Sequence, residues 1–378
     1  MKFKPGKWAL PLSWLYGSIM QLRNLAYDRQ WFRSLRFEPA VISCGNLSVG
    51  GTGKSPHTEY LTTLLLEHYP VGILSRGYGR NTKGFVLVTE QESAKTVGDE
   101  PWQYHLRFDG ADVSIGVAER RAEGIPLLVQ TNPNIRAVIL DDAYQHRSVK
   151  PSQNLLITTF QHPFWRDNVL PAGWLREGVS GAKRANALII SKCPSDLTAA
   201  ERNRYIKEAR SYLRPNSPIF FSTLLYKKPR PVALSGRALT NQLPSLIGVN
   251  IGGFCGIATP NLFKEHLANI ADSTVVLKAF IGLDDHASFD KQLLDELYEK
   301  TKSQDIKVWF CTAKDRAKLL GADLLNHPMI ELCWYIPIGV EFLGYDEDKG
   351  HEGHNGNGFD NWLLTSVGQT LGLDNKVK

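Results

Sequence analysis

Residues 45–56 read GNLSVGGTGKSP, and the residue types and their order set out a phosphate site. Gly50, Gly51 and Gly53 leave backbone N–H groups open to wrap phosphate oxygens, Lys54 can reach the outer phosphates, and the Ser55 hydroxyl suits a Mg²⁺ ligand. Ser48, Val49, Gly50, Gly51, Thr52, Gly53, Lys54 and Ser55 are therefore the expected nucleotide-binding loop. Ser48 stands where G-x-x-x-x-G-K-[ST] usually has its first glycine. A second run, AVILDD at 137–142, is a buried-strand sequence ending in two carboxylates, the way an NTPase strand presents an aspartate to the metal beside the phosphates. An Asp-Asp pair alone is more often a strand-end turn, but Asp141 and Asp142 downstream of GGTGKS point to a P-loop NTPase. A GTPase would also need N-K-x-D, and Ser191-Lys192-Cys193-Pro194-Ser195-Asp196 has the wrong first residue and spacing.

Other residues carry chemistry only conditionally. Gly98-Asp99-Glu100-Pro101 reads as a helix start with Asp99 as its cap. Arg76 and Arg80 in SRGYGR, Arg120 or Arg121 in VAERR, and Arg176 in WLRE offer guanidinium forks for phosphates, although surface exposure is the usual fate of an arginine. Gln145 and His146 follow the Asp-Asp strand directly, so contact with substrate is expected of them.

The elements that must position these groups are legible from periodicity. AVISCG, PVGILS, FVLV, DVSIGV, AVIL, NLLITTF, NALIISK and PIFFSTLL alternate with helix-period segments such as 198–213. This predicts an α/β fold: a P-loop NTPase-like, mostly parallel sheet domain over 38–225 with helices on both faces. YKKPRPVAL at 226–234 is a linker, and a second, smaller α/β domain over 235–345 follows, with strands near 249–257, 274–280, 306–312 and 332–338. Residues 346–378 form a polar loop and a C-terminal helix, WLLTSVGQTLGL, expected to dock back on the body. His351 and His354 in that loop lack fixed ligand spacing, which favours a loop over a metal site.

Charge narrows the partners. The net +6 of the 378 residues is too small to indicate nucleic acid, and it is concentrated at the start: Lys2, Lys4, Lys7, Arg23, Arg29, Arg33 and Arg36 face only Asp28 within residues 1–37. Between Lys7 and Arg23 lie fifteen uncharged residues, fewer than the roughly 18–20 needed to span a bilayer. Leu12, Leu15, Tyr16, Ile19, Leu22 and Ala26 share one helical face, with Pro11 in the first turn. That face suits an interfacial helix on anionic headgroups, and equally a helix packed on the core. A signal peptide is disfavoured because no small-x-small cleavage site follows. Five scattered cysteines without C-x-x-C pairing indicate neither a disulfide framework nor a thiolate zinc site.

Several segments together resemble the tetraacyldisaccharide 4′-kinase family: GNLSVGGTGKSP (45–56), LSRGYGR (74–80), VGDEPWQ (97–103), LDDAYQHR (140–147), LPAGWLRE (170–177), GIATPNLF (256–263), DHASF (285–289) and TAKD (312–315). Ser48 is usual in that family, whereas Ala143-Tyr144 replaces its Gly-Phe and Ala287 a frequent histidine. The resemblance implies transfer of the ATP γ-phosphate, with Mg²⁺, to the 4′-hydroxyl of a tetraacyldisaccharide 1-phosphate in lipid A biosynthesis. It also implies a peripheral place on the cytoplasmic face of a Gram-negative inner membrane. The partners would be the lipid substrate and an anionic membrane surface, with no nucleic acid and no protein partner. It places the catalytic groups at Asp99, as base, His286 of DHASF, which orients it, and Lys54. Ser55, Asp141 and Glu100 fall on the metal side; Arg76, Arg120, Asp142, Gln145, His146 and Arg176 fall on the substrate side. Because His286 belongs to the second domain, the site would lie between domains and close in use. The competing class is a membrane-associated P-loop ATPase switch, which has no need of the GDE and DHxxF motifs.

Overall fold

The computed structural model describes residues 6, 9–233, 243, 245–257, 259–271, 274–285, 287, 289–320, 324–344 and 357–373. The chain begins with helix α1 (Leu10–Asp28) and then alternates: β1 (Ala40–Gly45), α2 (Lys54–Leu66), β2 (Val71–Ser75), β3 (Val86–Leu87), α3 (Ala94–Val97), α4 (Asp99–Arg107), β4 (Val113–Val117), α5 (Arg121–Thr131) and β5 (Ala137–Asp141). It continues with β6 (Gln153–Thr159), β7 (Ala187–Ser191), α6 (Ala199–Arg210), β8 (Ile219–Tyr226) and β9 (Arg230–Pro231). A second alternation follows: β10 (Asn250–Cys255), α7 (Pro260–Ile270), β11 (Val276–Gly282), α8 (Lys291–Ser303), β12 (Ile306–Thr312), α9 (Ala313–Leu319) and β13 (Cys333–Ile336). The last elements are β14 (Ile338–Phe342) and α10 (Asn357–Thr370).

Two sheets result. The first has the order β14-β8-β7-β6-β1-β5-β2-β4-β3, parallel from β8 to β4 with antiparallel edges at β14 and β3. Every residue of β1, β2, β5 and β7 is buried, as strands covered by helices on both faces require. The second sheet, β11-β10-β12-β13-β9, is parallel except for the short β9. Its core gathers Phe254, Leu294, Trp309 and Met329, while Ala317 of α9 packs into the first unit's cluster around Val97, Trp102 and Tyr104.

The ends of the second unit differ from the sequence expectation. Within the expected linker, Arg230–Pro231 already pairs with β13. At the other end Ile338–Phe342 returns to the first sheet beside β8, so the chain leaves the second unit at Pro337, ahead of the expected boundary at 345. Nothing in the apolar pattern of CWYIPIGVEF distinguishes a strand of one sheet from a strand of the other, and Pro337 marks the switch.

Candidate active site: a phosphate loop facing a second α/β unit

Parallel pairing of β1 with β5 sets Cys44 opposite Asp141, so the loop leaving β1 and the Asp-Asp pair leaving β5 emerge side by side at the carboxyl ends of the strands. That is where open α/β sheets bind ligands. The loop is pinned at several points: Asn46 Nδ2 donates to Thr52 Oγ1 at 2.9 Å, Ser191 Oγ donates to the Thr52 carbonyl at 2.7 Å, and the Val49 N–H donates to the Trp174 carbonyl at 2.7 Å. Gly53 takes φ 87° as the cap of α2, a left-handed conformation that favours glycine, and Lys54 and Ser55 open the helix. Beneath them His57 joins the Gly53 carbonyl (2.7 Å) to Ser222 Oγ (2.9 Å), and burial pulls its pKa down to about 4, so the ring is neutral.

The carboxylates differ in their surroundings. Asp142, at φ 46°, receives both Arg176 Nη atoms at 3.1 Å and lies 3.7 Å from Lys54 Nζ. Burial acts against its charge, but Lys54 and Arg176 hold the carboxyl below its ordinary value. Asp141 is buried; burial first, then the charge on Asp142, pushes its carboxyl up. Glu100 is pushed up by burial and next by Asp141. Arg121, wholly buried, donates to the Asp141 carbonyl at 3.1 Å and to the Ala118 carbonyl at 2.6 Å, fixing the end of β5.

These groups line a cleft of about 900 Å³ whose opposite wall comes from the second unit: Ile257, Asp285, Thr312, Lys314, Arg316 and Tyr335. Tyr16, Met20 and Arg23 of α1 close one end. Lys314 Nζ pairs with Asp285 at 2.9 Å, and Asp315, beside it, accepts from the Gly256 N–H at 2.9 Å and the Thr312 hydroxyl at 2.6 Å, which fixes the start of α9.

Most of the residues singled out from sequence meet here. Val49 to Ser55, Arg76, Glu100, Asp141, Asp142, Gln145, His146 and Arg176 all line the cleft, and Ser48 bridges to Leu175 at the base of the loop. Burial, then Arg121 and Arg76, brings the His146 pKa down to about 4. Gln145 is braced, donating to the Asn46 carbonyl at 2.8 Å and to Glu177 Oε1 at 3.1 Å. Asp99 is the first residue of α4, with Gly98 rather than Asp99 as the cap; its Oδ2 lies 3.8 Å from Lys318 Nζ of α9, and it is not part of the cleft wall. His286 lies outside the described residues, as do His351 and His354.

Arg120 is the correction. It caps α5 from outside, exposed and paired with Glu123 at 2.5 Å, while Arg121, one residue on, turns into the cleft. Arg80, too, is taken up by Glu119 at 2.5 Å and the Gly84 carbonyl at 2.6 Å. Two further cleft residues, Glu59 and Lys192, carry no motif. Glu59 accepts from Gln103 Nε2 at 2.6 Å, and burial pushes its pKa up to about 7. Lys192, at the end of β7, has its pKa lowered by burial and then by Lys54. Lys192 stood inside the segment read only for N-K-x-D, and Glu59 had the helical period of α2 as its sole signal.

Fold and site define a P-loop phosphotransferase with a second α/β unit across its nucleotide loop. The family model described as Tetraacyldisaccharide-1-P 4′-kinase matches residues 6–352. The tetraacyldisaccharide 4′-kinase of Bacteroides thetaiotaomicron is 39% identical over 353 residues, covering 91% of this chain and 90% of its own. That of Flavobacterium johnsoniae is 34% identical, covering 89% and 93%. The crystal structure of LpxK from Aquifex aeolicus in complex with ATP shares the fold, with a TM-score of 0.68 at 24% identity over 95% of this chain and 98% of its own. This chain belongs to the tetraacyldisaccharide-1-P 4′-kinase family.

Proposed function

We propose that the protein transfers the γ-phosphoryl group of ATP in line to the 4′-hydroxyl of a tetraacyldisaccharide 1-phosphate, working from the cytoplasmic face of the inner membrane. The observation that carries this reading is the charge layout of the cleft, where Lys54, Arg76, Arg121, Arg176, Lys192 and Lys314 converge on a space bounded by the glycine loop. Phosphoryl transfer asks a protein chiefly to position its reactants and neutralise a spread anionic charge. The loop amides and Lys54 do this for the outer phosphates. Asp142 holds Lys54 and Arg176 together, so that both cations already face the place where phosphate enters.

Ser55, Asp141 and Glu100 present hard oxygen donors to the cleft; burial first, and neighbouring carboxylates second, raise the Asp141 and Glu100 carboxyls, and a divalent cation would favour their charged forms. Mg²⁺ held there would supply neutralisation of the transferring phosphates. Among the described residues no three His, Cys, Asp or Glu side chains form a ready cage, which fits an ion that takes most of its ligands from phosphate and water.

Asp99 is the base in this reading. It adjoins Glu100 and is tied to the second unit through Lys318, so closure of that unit on substrate brings carboxylate and acceptor hydroxyl together. The test is turnover of ATP and tetraacyldisaccharide 1-phosphate in detergent. Asp99→Ala should lower kcat by roughly 10²–10⁴ with ATP binding retained, and unchanged turnover would reduce Asp99 to a helix-start residue.

Helix α1 supports the membrane part. Leu12, Trp14, Leu15, Ile19 and Leu22 are exposed, Trp14 to 73%, while Ser13, Tyr16 and Asn24 are hydrogen-bonded to the body. Among the described residues no helix is long and apolar enough to cross a membrane. An outward apolar row flanked by arginines is what a helix lying in the interface requires.

A further inference from the structure

A second cavity, of about 1360 Å³, lies back to back with the phosphate cleft, with His146 in the wall of both. Its floor is the sheet. Register across β5, β1 and β6 sets Leu140, Ser43 and Asn154 in one row. Ser43 is 2% exposed and Asn154 8%, and both line the cavity. Neither Ser43 Oγ nor Asn154 Oδ1 has a hydrogen-bond partner among the described residues. Two neighbouring buried polar atoms left unsatisfied are costly, and a hydroxylated group seated on the floor would satisfy both.

The mouth has the opposite character. Arg33, Arg36 and Lys150 line it and form no ion pair among the described residues. Arg147 is held by Asp28 at 2.5 Å, and Asp28 is the only acid in the described lining. Alternating with Arg33 and Arg36 along the same segment, Phe32 and Leu35 are exposed apolar residues of the lining, preceded by Trp31 at 70% exposure. The lining thus combines exposed apolar side chains, exposed cations, and buried hydrogen-bonding groups next to Arg184, which Glu177 neutralises at 2.7 Å. An acyl chain, a phosphodiester and a polyol offer the three matching kinds of group, with the polyol suited to the buried Ser43 and Asn154. A choline or ethanolamine headgroup would instead bring its own cation against the arginines.

We propose that this cavity binds the headgroup of an anionic glycerol-type phospholipid, with the phosphodiester among Arg33, Arg36 and Lys150 and the terminal hydroxyls on Ser43 Oγ and Asn154 Oδ1. The proposal rests on the reading that α1 and its flank face a bilayer. Bound lipid would fasten residues 29–37 to the sheet behind the phosphate cleft.

The experiment is calorimetry on the full chain with dihexanoyl phosphatidylglycerol below its micelle concentration. Saturable one-to-one binding is expected, with no binding of dihexanoyl phosphatidylcholine. The R33Q/R36Q/K150Q triple variant should weaken binding by about tenfold or more, as loss of charge-assisted hydrogen bonds does. Ser43→Ala should weaken it about fivefold, the size of one hydrogen bond, without lowering the melting temperature of the lipid-free protein. Equal binding of the choline lipid, or an unaffected triple variant, overturns the proposal. Equally tight glycerol 3-phosphate would assign the cavity to a soluble anion, and displacement by tetraacyldisaccharide 1-phosphate would assign it to the kinase substrate; either result also overturns it. Because the lipid is in free solution, failure of α1 to hold vesicles in a separate flotation assay leaves this result readable.

Discussion

The two terminal helices have similar apolar periodicity and opposite fates. Helix α10 buries its row: Phe359, Leu363, Leu364 and Val367 pack into the cluster under β1, β5 and α2, and Phe359 stacks on Phe342 at 4.0 Å. Helix α1 turns Leu12, Leu15, Ile19 and Leu22 of its row outward, while Ala26 is buried and Tyr16 faces the body; it docks by polar contacts: Ser13 Oγ accepts from the Ala172 N–H at 2.8 Å, Tyr16 donates to the Arg176 carbonyl at 3.0 Å, and Asn24 donates to Glu177 at 2.7 Å. Each contacts an element that carries site residues. Tyr60 of α2 donates to Asp360 of α10 at 2.7 Å, and Arg23 of α1 donates to the Gln145 carbonyl at 3.0 Å. One helix is therefore held through an apolar core, and the other through polar contacts that leave most of its apolar row exposed.

The largest effect should come from breaking the buried side. Leu363 is fully buried, and Leu363→Ala should cost about 2–5 kcal/mol in denaturant unfolding, with Leu363→Asp costing more because its charge would have no partner. If Leu363→Ala left stability unchanged, α10 would be no more docked than α1. The mirror experiment is Leu15→Asp/Ile19→Asp, which should leave the melting temperature in place while lowering partition onto anionic vesicles by roughly 10²-fold, from two lost apolar insertions. A fall in melting temperature instead would mean that this face packs on protein.

The pair also shows where sequence reading stops. Periodicity found both helices, and the apolar strand runs found both sheets, because a buried parallel strand must be apolar along its whole length. GGTGKS and LDD, read as a pair at fixed spacing, do come together on one cleft. Which face of α1 turns inward is not a property of its apolar row. It depends on Glu177, Ala172 and Arg176, far away in the chain, which supply the polar partners of Ser13, Tyr16 and Asn24. Of the two adjacent arginines 120 and 121, it is Arg121 that lines the cleft, because the register of a helix start decides which of them points in. Glu59 escaped notice because its burial is created by Gln103 and Arg107 of α4, which no local pattern announces.

Glu59 and Tyr60 place α2 between the two modes of support, and pH separates them. Tyr60 faces α10, while Glu59 faces the cleft with its pKa raised by burial from 4.5 to about 7, against the opposing pull of Gln103. Between those two values the folded state keeps a proton that the unfolded chain releases. The contribution of Glu59 to stability therefore falls as pH rises from about 4.5 to about 7, and its cost is fully present above that. At about 1.4 kcal/mol per unit the cost is about 3 kcal/mol at most. Glu59→Gln keeps the shape and removes the charge, so it should raise the melting temperature at pH 8 by a few degrees and have no stabilising effect at pH 4.5. An equal shift at both pH values would show that packing, rather than the buried charge, sets the difference. A change in the same window in Tyr60→Phe but not in Glu59→Gln would move the titrating group to the α10 side, where burial also raises the Asp360 carboxyl.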